Sequence, residues 1–245
     1  MAFNYGKIQA SDFETAKPTE RSSGFGRYQR NLSFENAIKE LSLGLEFDLF
    51  PNYGGIGSRF PVNPYVFIGL AIFSHNPKAK APDTDLLGNP LAEAGKFVSL
   101  RDLETEGKKY SKIQMAIPVG LGVKVRLIQN LDAQLEFGLR QLFFDYIDDV
   151  SKDNIELSLL DSELARAMAE RGAETTDVVT GKTRDPQYFT VSGYKAQDGM
   201  TYSVGANYTV GEVRGSPKDN DFYLVSQLRI VYYLSGKNVR RAKFR

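Results

Sequence analysis

The chain has 245 residues, and its 31 Lys and Arg against 30 Asp and Glu give a formal net charge of +1, which argues against a nucleic-acid binder. No Cys and a single His exclude disulfide frameworks, Cys-ligated metals and sites built from several His. No apolar run approaches the roughly 18 residues of a helical membrane span, whereas the strands of a membrane β-barrel hide their hydrophobicity in alternation.

The beginning of the chain predicts a strand rather than a signal peptide. Residues 1–7 have no basic start, no apolar core and no small-residue cleavage site. Because the chain opens in mid-strand, we expect the complete gene to extend upstream.

Alternation with a period of two runs through much of the chain and predicts strands with one apolar face. Six strands are predicted, at residues 2–10, 37–50, 64–74, 112–128, 131–144 and 221–234. The fourth and fifth are joined by the tight Gln129-Asn130 link and form the clearest hairpin. Pro118 lies inside a strand, which implies a bulge or a local irregularity in the ladder.

The connections between these strands differ in length. Those at 51–63 and 128–131 are short to moderate, whereas those at about 11–35, 75–111 and 145–220 are long and polar. Long loops at one end and shorter ones at the other are typical of outer-membrane barrels. Within the last long connection, the sequence predicts one helix over 161–171, with Asp161 or Ser162 as its N-cap and Gly172 as the residue that stops it.

Alternation alone does not say which face of each strand is buried. Many Gly on the polar faces suit a crowded lumen, and the charges there nearly balance. The predicted lumen network consists of Glu40, Glu46, Asp48, Lys124, Arg126, Asp132, Glu136, Arg140 and Arg229.

Aromatic residues cluster at the predicted strand ends and suggest two girdles at the membrane interfaces. They are Phe50, Tyr53, Phe60, Tyr65, Phe143, Phe144, Tyr146, Phe222, Tyr223, Tyr232 and Tyr233. The alternative is a soluble antiparallel barrel or sandwich with its Leu and Phe inside.

No catalytic constellation or cofactor motif is found, so we expect no enzyme. His75 lacks a nucleophile and an orienting carboxylate, and a turn role is favoured over a catalytic base. The acidic run 145–149 with Asp153 has oxygen ligands for calcium but not the spacing of a defined loop. The glycines of 54–57 are turn residues, not a phosphate loop.

Several blocks in order along the chain resemble the PorG-like proteins, a family of Bacteroidota outer-membrane β-barrels tied to the type IX secretion system. The blocks are at 30–34, 40–42, 46–47, 64–69, 116–120, 136–140, 144–151 and 214–221, with Asp-Tyr-Ile-Asp-Asp-Val-Ser as the most specific stretch. The resemblance implies an eight-stranded barrel in the outer membrane, without catalytic residues, that anchors the periplasmic ring of the secretion machinery. It also implies a signal peptide and further strands before Asn4, which this sequence lacks.

The basic tail is the predicted docking element for acidic ring proteins on the periplasmic side. Its cations are Lys237, Arg240, Arg241, Lys243 and Arg245, with no acidic residue among them. The sequence therefore favours one antiparallel transmembrane β-barrel domain over 1–245, with long extracellular loops and outer-membrane lipid and ring proteins as partners. Two alternatives are a small surface barrel that binds ligands or other cells through its loops, and a soluble barrel that binds an apolar ligand.

Overall fold

Strands dominate the computed structural model, which describes residues 1–19, 23–52, 58–215 and 220–234. In chain order they are β1 (Ala2–Ser11), β2 (Ser33–Asp48), β3 (Val62–Ser74), β4 (Lys78–Lys80), β5 (Phe97–Ser99), β6 (Ile113–Ile128), β7 (Leu131–Leu142), β8 (Val191–Lys195), β9 (Thr201–Gly205) and β10 (Phe222–Tyr232). The helices are α1 (Asp12–Thr15), α2 (Ser23–Arg30), α3 (Leu100–Leu103), α4 (Glu163–Ala169) and a 3-10 turn at Leu157–Leu159. None of these helices is long and apolar enough to cross a membrane.

The six long strands form one antiparallel sheet in the order β1-β2-β3-β6-β7-β10, and β4 and β5 extend it beside β2. All six were predicted, and their bounds agree within a few residues. Neighbours in this sheet are also neighbours in sequence among the long strands, as in an up-and-down barrel. In the described ranges the outer strands β1 and β10 each have one long partner and are not paired with each other.

The ladder is irregular at two places. The register between β6 and β7 shifts between Arg126 and Ile128. Opposite Pro118 the pairing of β3 with β6 is interrupted, between the pairs Ile68↔Val119 and Ala71↔Ala116. Proline has no N–H to donate, so the predicted irregularity at Pro118 is an interrupted ladder rather than a bulge.

The two faces of the sheet differ sharply. On the convex face large apolar side chains are exposed, for example Leu43 at 68%, Leu121 at 60% and Leu228 at 71%. On the concave face polar side chains are buried, and Glu40 and Arg140 are each 2% exposed. The order expected for a soluble barrel, with Leu and Phe inside, is therefore reversed for the exposed leucines, whereas Phe67 and Phe73 are buried on the concave face.

Glycines on β6 and β7 make room for two aromatic rings that cross the concave face from β3. A Cβ at Gly122 would lie 2.4 Å from the Tyr65 ring, and one at Gly120 would lie 2.6 Å from the Phe67 ring. Gly138 faces the same Phe67 ring at 2.7 Å. The glycine-rich polar faces thus reflect close packing inside the sheet.

The three long connections fold together over one end of the sheet, and we call the described parts of 12–32, 75–112 and 143–221 the cap. Its largest apolar cluster joins Leu86 of the second connection to Leu157, Leu160 and Tyr202 of the third. A second cluster joins Ala79 and Leu100 to Met168, with Leu164 packed against it. The expectation of long loops with one short helix is corrected: the cap holds four α-helices and two short strand pairs.

The predicted helix forms, but it is shorter than 161–171. The Ser162 side chain accepts a hydrogen bond from the Ala165 N–H at 3.1 Å, which confirms Ser162 as the N-cap. The helix ends at Ala169, because Glu170 has extended backbone, so Gly172 is not the stop. Its apolar residues pack inside the cap.

Candidate functional site

The centre of the concave face nearest the cap is organised around the buried Glu40 carboxylate. Arg140 from β7 donates to it through Nε and Nη2 at 3.4 and 3.5 Å. Asn4 from β1 donates at 2.8 Å, and the Tyr223 hydroxyl from β10 donates at 2.7 Å. Glu40 is therefore paired and hydrogen-bonded, as a buried charge must be.

A second buried carboxylate, Glu136, lies one step further from the cap. It accepts hydrogen bonds from the Tyr65 hydroxyl at 3.0 Å and from Gln227 at 2.6 Å. Arg229 from β10 forms an ion pair with Glu136 and reaches Glu46 of β2 at 3.3 Å. Polar side chains from four strands, β2, β3, β7 and β10, thus form one connected network.

The end of the lumen away from the cap holds a third group of charges. Lys124 bridges Glu46 at 2.9 Å and Asp48 at 2.7 Å. Asp132 pairs with Arg59 at 2.9 Å, and the Arg126 guanidinium donates to the Arg59 carbonyl at 2.5 Å.

The structure places all nine predicted lumen residues on the concave face and links each to a polar partner. Sequence reasoning missed Arg59, which lies in the connection before β3 and stacks its guanidinium 4.0 Å from the Tyr233 ring centre. Nothing in the alternation pattern marks a connection residue that folds back under the lumen.

Two contacts across the concave face show that the sheet is strongly curled. Glu40 and Glu46 on β2 reach Tyr223 and Arg229 on β10, although β2 and β10 are four positions apart in the sheet. The sheet is therefore curled strongly enough for side chains of strands four positions apart to meet across its concave face.

The expected aromatic girdles are partly corrected. Phe50 and Phe60 are exposed and lie with ring centres 5.2 Å apart at the end of the sheet away from the cap. Phe143, Phe222 and Tyr232 are also exposed. Tyr65, Tyr223 and Tyr146 instead point inward, and Tyr53 lies outside the described residues.

His75 lies, as predicted, in the connection that follows β3, and it is buried there. Its ring is 2% exposed and lies between Tyr110, 5.7 Å away, and Phe144, 4.9 Å away. Burial lowers its pKa to about 4, which keeps the ring neutral at pH 7. Its Nε2 lies 3.1 Å from the Ser111 carbonyl, and it packs the junction between sheet and cap.

The acidic run 145–149 does not form a calcium site in the described residues, where no group of three or more His, Cys, Asp or Glu is arranged to hold a metal. Asp149 accepts hydrogen bonds from Thr105 at 2.5 Å and Tyr110 at 2.6 Å. Burial raises its pKa to about 6, since the charged form loses hydration. The run instead ties the cap to the sheet, because the Asn36 side-chain amide of β2 donates to the Ile147 carbonyl at 2.7 Å.

Buried arginines hold the cap segments to one another. Arg184 donates to the carbonyls of Gly172 at 2.9 Å and Glu174 at 2.6 Å, and to that of Tyr28 in α2 at 2.7 Å. Arg214 pairs with Glu106 at 2.9 Å. Sequence reasoning did not find these residues, because a single arginine in a polar segment normally predicts a solvated side chain.

The predicted docking cations at 237–245 lie outside the described residues. Comparison with family models gives a match of residues 1–86 to a domain of unknown function, DUF6089. The matched part runs from β1 through β4 into the cap, and the family description names no activity. No curated protein and no solved structure matches the chain.

Proposed function

We propose that this chain is a non-enzymatic β-barrel of the outer membrane, with its convex face in lipid. The observation that carries the proposal is the continuous apolar convex face around a polar, buried interior. Soluble monomers rarely expose apolar patches larger than about 300–600 Å². In lipid, an exposed apolar face does not incur the free-energy cost that it has in water. A narrow lumen accommodates charges that are paired with one another.

Closure of the barrel is part of this proposal. Unpaired backbone groups in lipid cost several kcal/mol each, so open edges at β1 and β10 would not persist in a bilayer. Strands four positions apart face each other across an eight-stranded ring, so the contacts between β2 and β10 favour a ring of eight positions, of which the six long strands of the described residues fill six. Such a ring leaves two positions between β10 and β1.

Single cysteines test the lipid contact, since the chain has none of its own. We expect Leu121→Cys and Val119→Cys to react slowly with a water-soluble maleimide in intact outer membranes and rapidly after denaturation. Lys195→Cys, on the exposed strand β8 of the cap, is the matched control and should react rapidly in both states. Rapid labelling of residue 121 in intact membranes would show that the convex face meets water.

The role in secretion rests on the resemblance to the PorG-like barrels. Strand β10 runs from the cap toward the opposite end of the sheet, because Tyr232 pairs with Leu131 beside the tight turn between β6 and β7. The predicted docking cations follow that end in sequence. Their charge would attract an acidic periplasmic ring protein, with a strength that falls as salt rises.

Replacement of Lys237, Arg240, Arg241, Lys243 and Arg245 by Gln tests this role. We expect normal insertion, since none of the five belongs to a described strand, and weaker co-purification with ring components of the secretion system. Replacing Lys108, Lys109 and Lys112 in the cap by Gln provides the control for loss of positive charge. Unchanged recovery of the ring at unchanged salt sensitivity would exclude the tail as the contact.

A second candidate is a surface barrel that binds ligands or other cells through its loops. The observation in its favour is the cap, which is packed around apolar clusters and is not a set of solvated loops. Secretion genes beside this one would favour the first function, and their absence would favour the second.

A further inference from the structure

A cavity of about 250 Å³ lies inside the cap, where α1 and α2 meet the cap ends of β1 and β2. Its lining includes the apolar side chains of Phe34, Leu100 and Met168. It also includes charged side chains of α1, α2 and the third long connection. The volume is slightly below the about 300–1,000 Å³ of sites for drug-sized ligands, so it suits a smaller molecule.

Most charges that line this cavity already have partners. The ion pairs are Arg30 with Asp12 at 2.8 Å, Arg214 with Glu106 at 2.9 Å and Arg171 with Glu174 at 2.7 Å. The Asp149 carboxylate is held by two hydroxyl groups. Two charges remain, the Asp148 carboxylate and the Arg27 guanidinium.

Among the described carboxylates that line the cavity, Asp148 accepts the fewest hydrogen bonds. It accepts one, from the Val150 N–H at 3.0 Å, and forms no ion pair with a described residue. The charges of Arg30 and Arg214 attract it, yet burial still raises its pKa to about 6. Because its charged form is poorly stabilised, a cationic group that enters the cavity beside Asp148 would be favoured.

Arg27 provides the opposite charge at the mouth. It is exposed, lines the same cavity from the last turn of α2, and has no ion pair or side-chain hydrogen bond with any described residue. The cavity thus offers an inner anion, apolar side chains and an outer cation.

We propose that this cavity binds a small apolar zwitterion of the amino-acid or dipeptide class. Its ammonium group would bind Asp148, its side chain would lie on Phe34, Leu100 and Met168, and its carboxylate would meet Arg27. This site is separate from the lumen and does not depend on the membrane role proposed above.

Three dipeptides that differ in one charge test the site on the purified full chain in detergent. The probes are Leu-Ala, its C-terminal amide and its N-acetyl form, and binding is measured by calorimetry at about pH 7.5, where Asp148 is ionised. We expect Leu-Ala and the amide to bind. We expect the N-acetyl form, which lacks the ammonium group, to bind at least about tenfold more weakly.

Two variants separate the two ends of the ligand. Asp148→Asn should weaken both ammonium probes at least about tenfold, and it keeps an oxygen for the Val150 N–H, so the fold should persist. Arg27→Gln should weaken the binding of Leu-Ala but leave the binding of the amide unchanged. Because Arg27 is exposed, its replacement should not affect folding. Asp161→Asn, an exposed carboxylate outside the cavity, is the control and should change nothing.

Four results would overturn the proposal: no binding of Leu-Ala to the unmodified protein, equal binding of the N-acetyl form, full affinity in Asp148→Asn, or equal losses in Asp161→Asn. Loss of affinity for the amide in Arg27→Gln would contradict the assigned orientation. Thermal unfolding of each variant shows that the comparison is between folded proteins.

Discussion

Glycine 120 shows how tightly the lumen is packed around Phe67. A Cβ at this position would lie 2.2 Å from the Phe137 carbonyl oxygen and 2.7 Å from the Gly138 Cα, and backbone atoms cannot move aside as a side chain can. We expect Gly120→Ala to lower the free energy of unfolding by about 1–3 kcal/mol through overpacking. Gly6→Ala on β1 is the control, since nothing lies within 4 Å of its Cβ. Urea unfolding of both variants in detergent measures the difference, and equal stabilities would contradict close packing at Gly120.

Leucine 121 tests the opposite face of the same strand. Leu121 is 60% exposed on the convex face, so Leu121→Arg would put a charge near the middle of the proposed lipid contact. We expect a loss of about 2–4 kcal/mol in the free energy of folding into bilayers. Gln114→Ser on the lumen face of the same strand should cost far less. If the two variants fold into vesicles with equal stability, the convex face does not meet lipid.

The residues of the lumen were predictable from the sequence because alternation assigns each strand position to a face. Tyr65 and Tyr223 were assigned to girdles because they lie near strand ends. The alternation along β3 already places Tyr65 on the same face as Phe67, Gly69 and Ala71. Odd or even position in the strand therefore predicts the face of a side chain better than distance from the strand end does.

At the scale of elements, the strands were predictable and the cap was not. A strand of ten or more residues repeats its period several times, whereas α1 and α3 have four residues each and show no period. The cap is held by contacts between distant segments, such as the one between Arg184 and the Tyr28 carbonyl. Such contacts leave no local pattern in a sequence.

Arg184 is the residue whose loss should loosen the cap most. Arg184→Met would leave buried carbonyls of Tyr28, Gly172 and Glu174 without donors, at about 1–3 kcal/mol for each unsatisfied group. We expect faster cleavage of 173–190 in limited proteolysis while the strands stay protected. Lys182→Met, an exposed position two residues away, is the control. A cap that resists protease equally in both variants would show that Arg184 does not hold it.

The stability of the cap should depend on pH. Burial raises the pKa of Asp148 and of Asp149 to about 6 and that of Asp221 to about 7. Between about pH 4 and these values the folded state binds more protons than the unfolded state, so stability increases as pH falls. We expect the unfolding temperature to rise from about pH 7.5 to about pH 5.5, and Asp221→Asn to flatten that rise. A steady fall over the same range would contradict these shifts.

For the whole molecule, the apolar convex face and the polar contacts across the concave face bear on the same question, whether the sheet belongs to a soluble or a membrane protein. The sheet alone could belong to a soluble or a membrane protein, and sequence alternation left that choice open. In the structure, β2 and β10 meet through Glu40 and Tyr223 on the concave face, and the large apolar side chains of β2 and β6, such as Leu43 and Leu121, lie on the convex face.

The cap should fold after the neighbouring strands have paired, because its contacts join segments that are far apart in the sequence. The Ser203 amide donates to the Leu86 carbonyl at 2.8 Å, and Arg184 reaches back to α2 across 156 residues, so the cap joins segments separated by most of the strands. Long loops close more slowly than the turn between β6 and β7, so this hairpin should gain hydrogen-exchange protection before the Ser203 amide does. In the proposed barrel, the cap segments would then cross the bilayer as extended chain and meet only on the far side, once the last strand is in place.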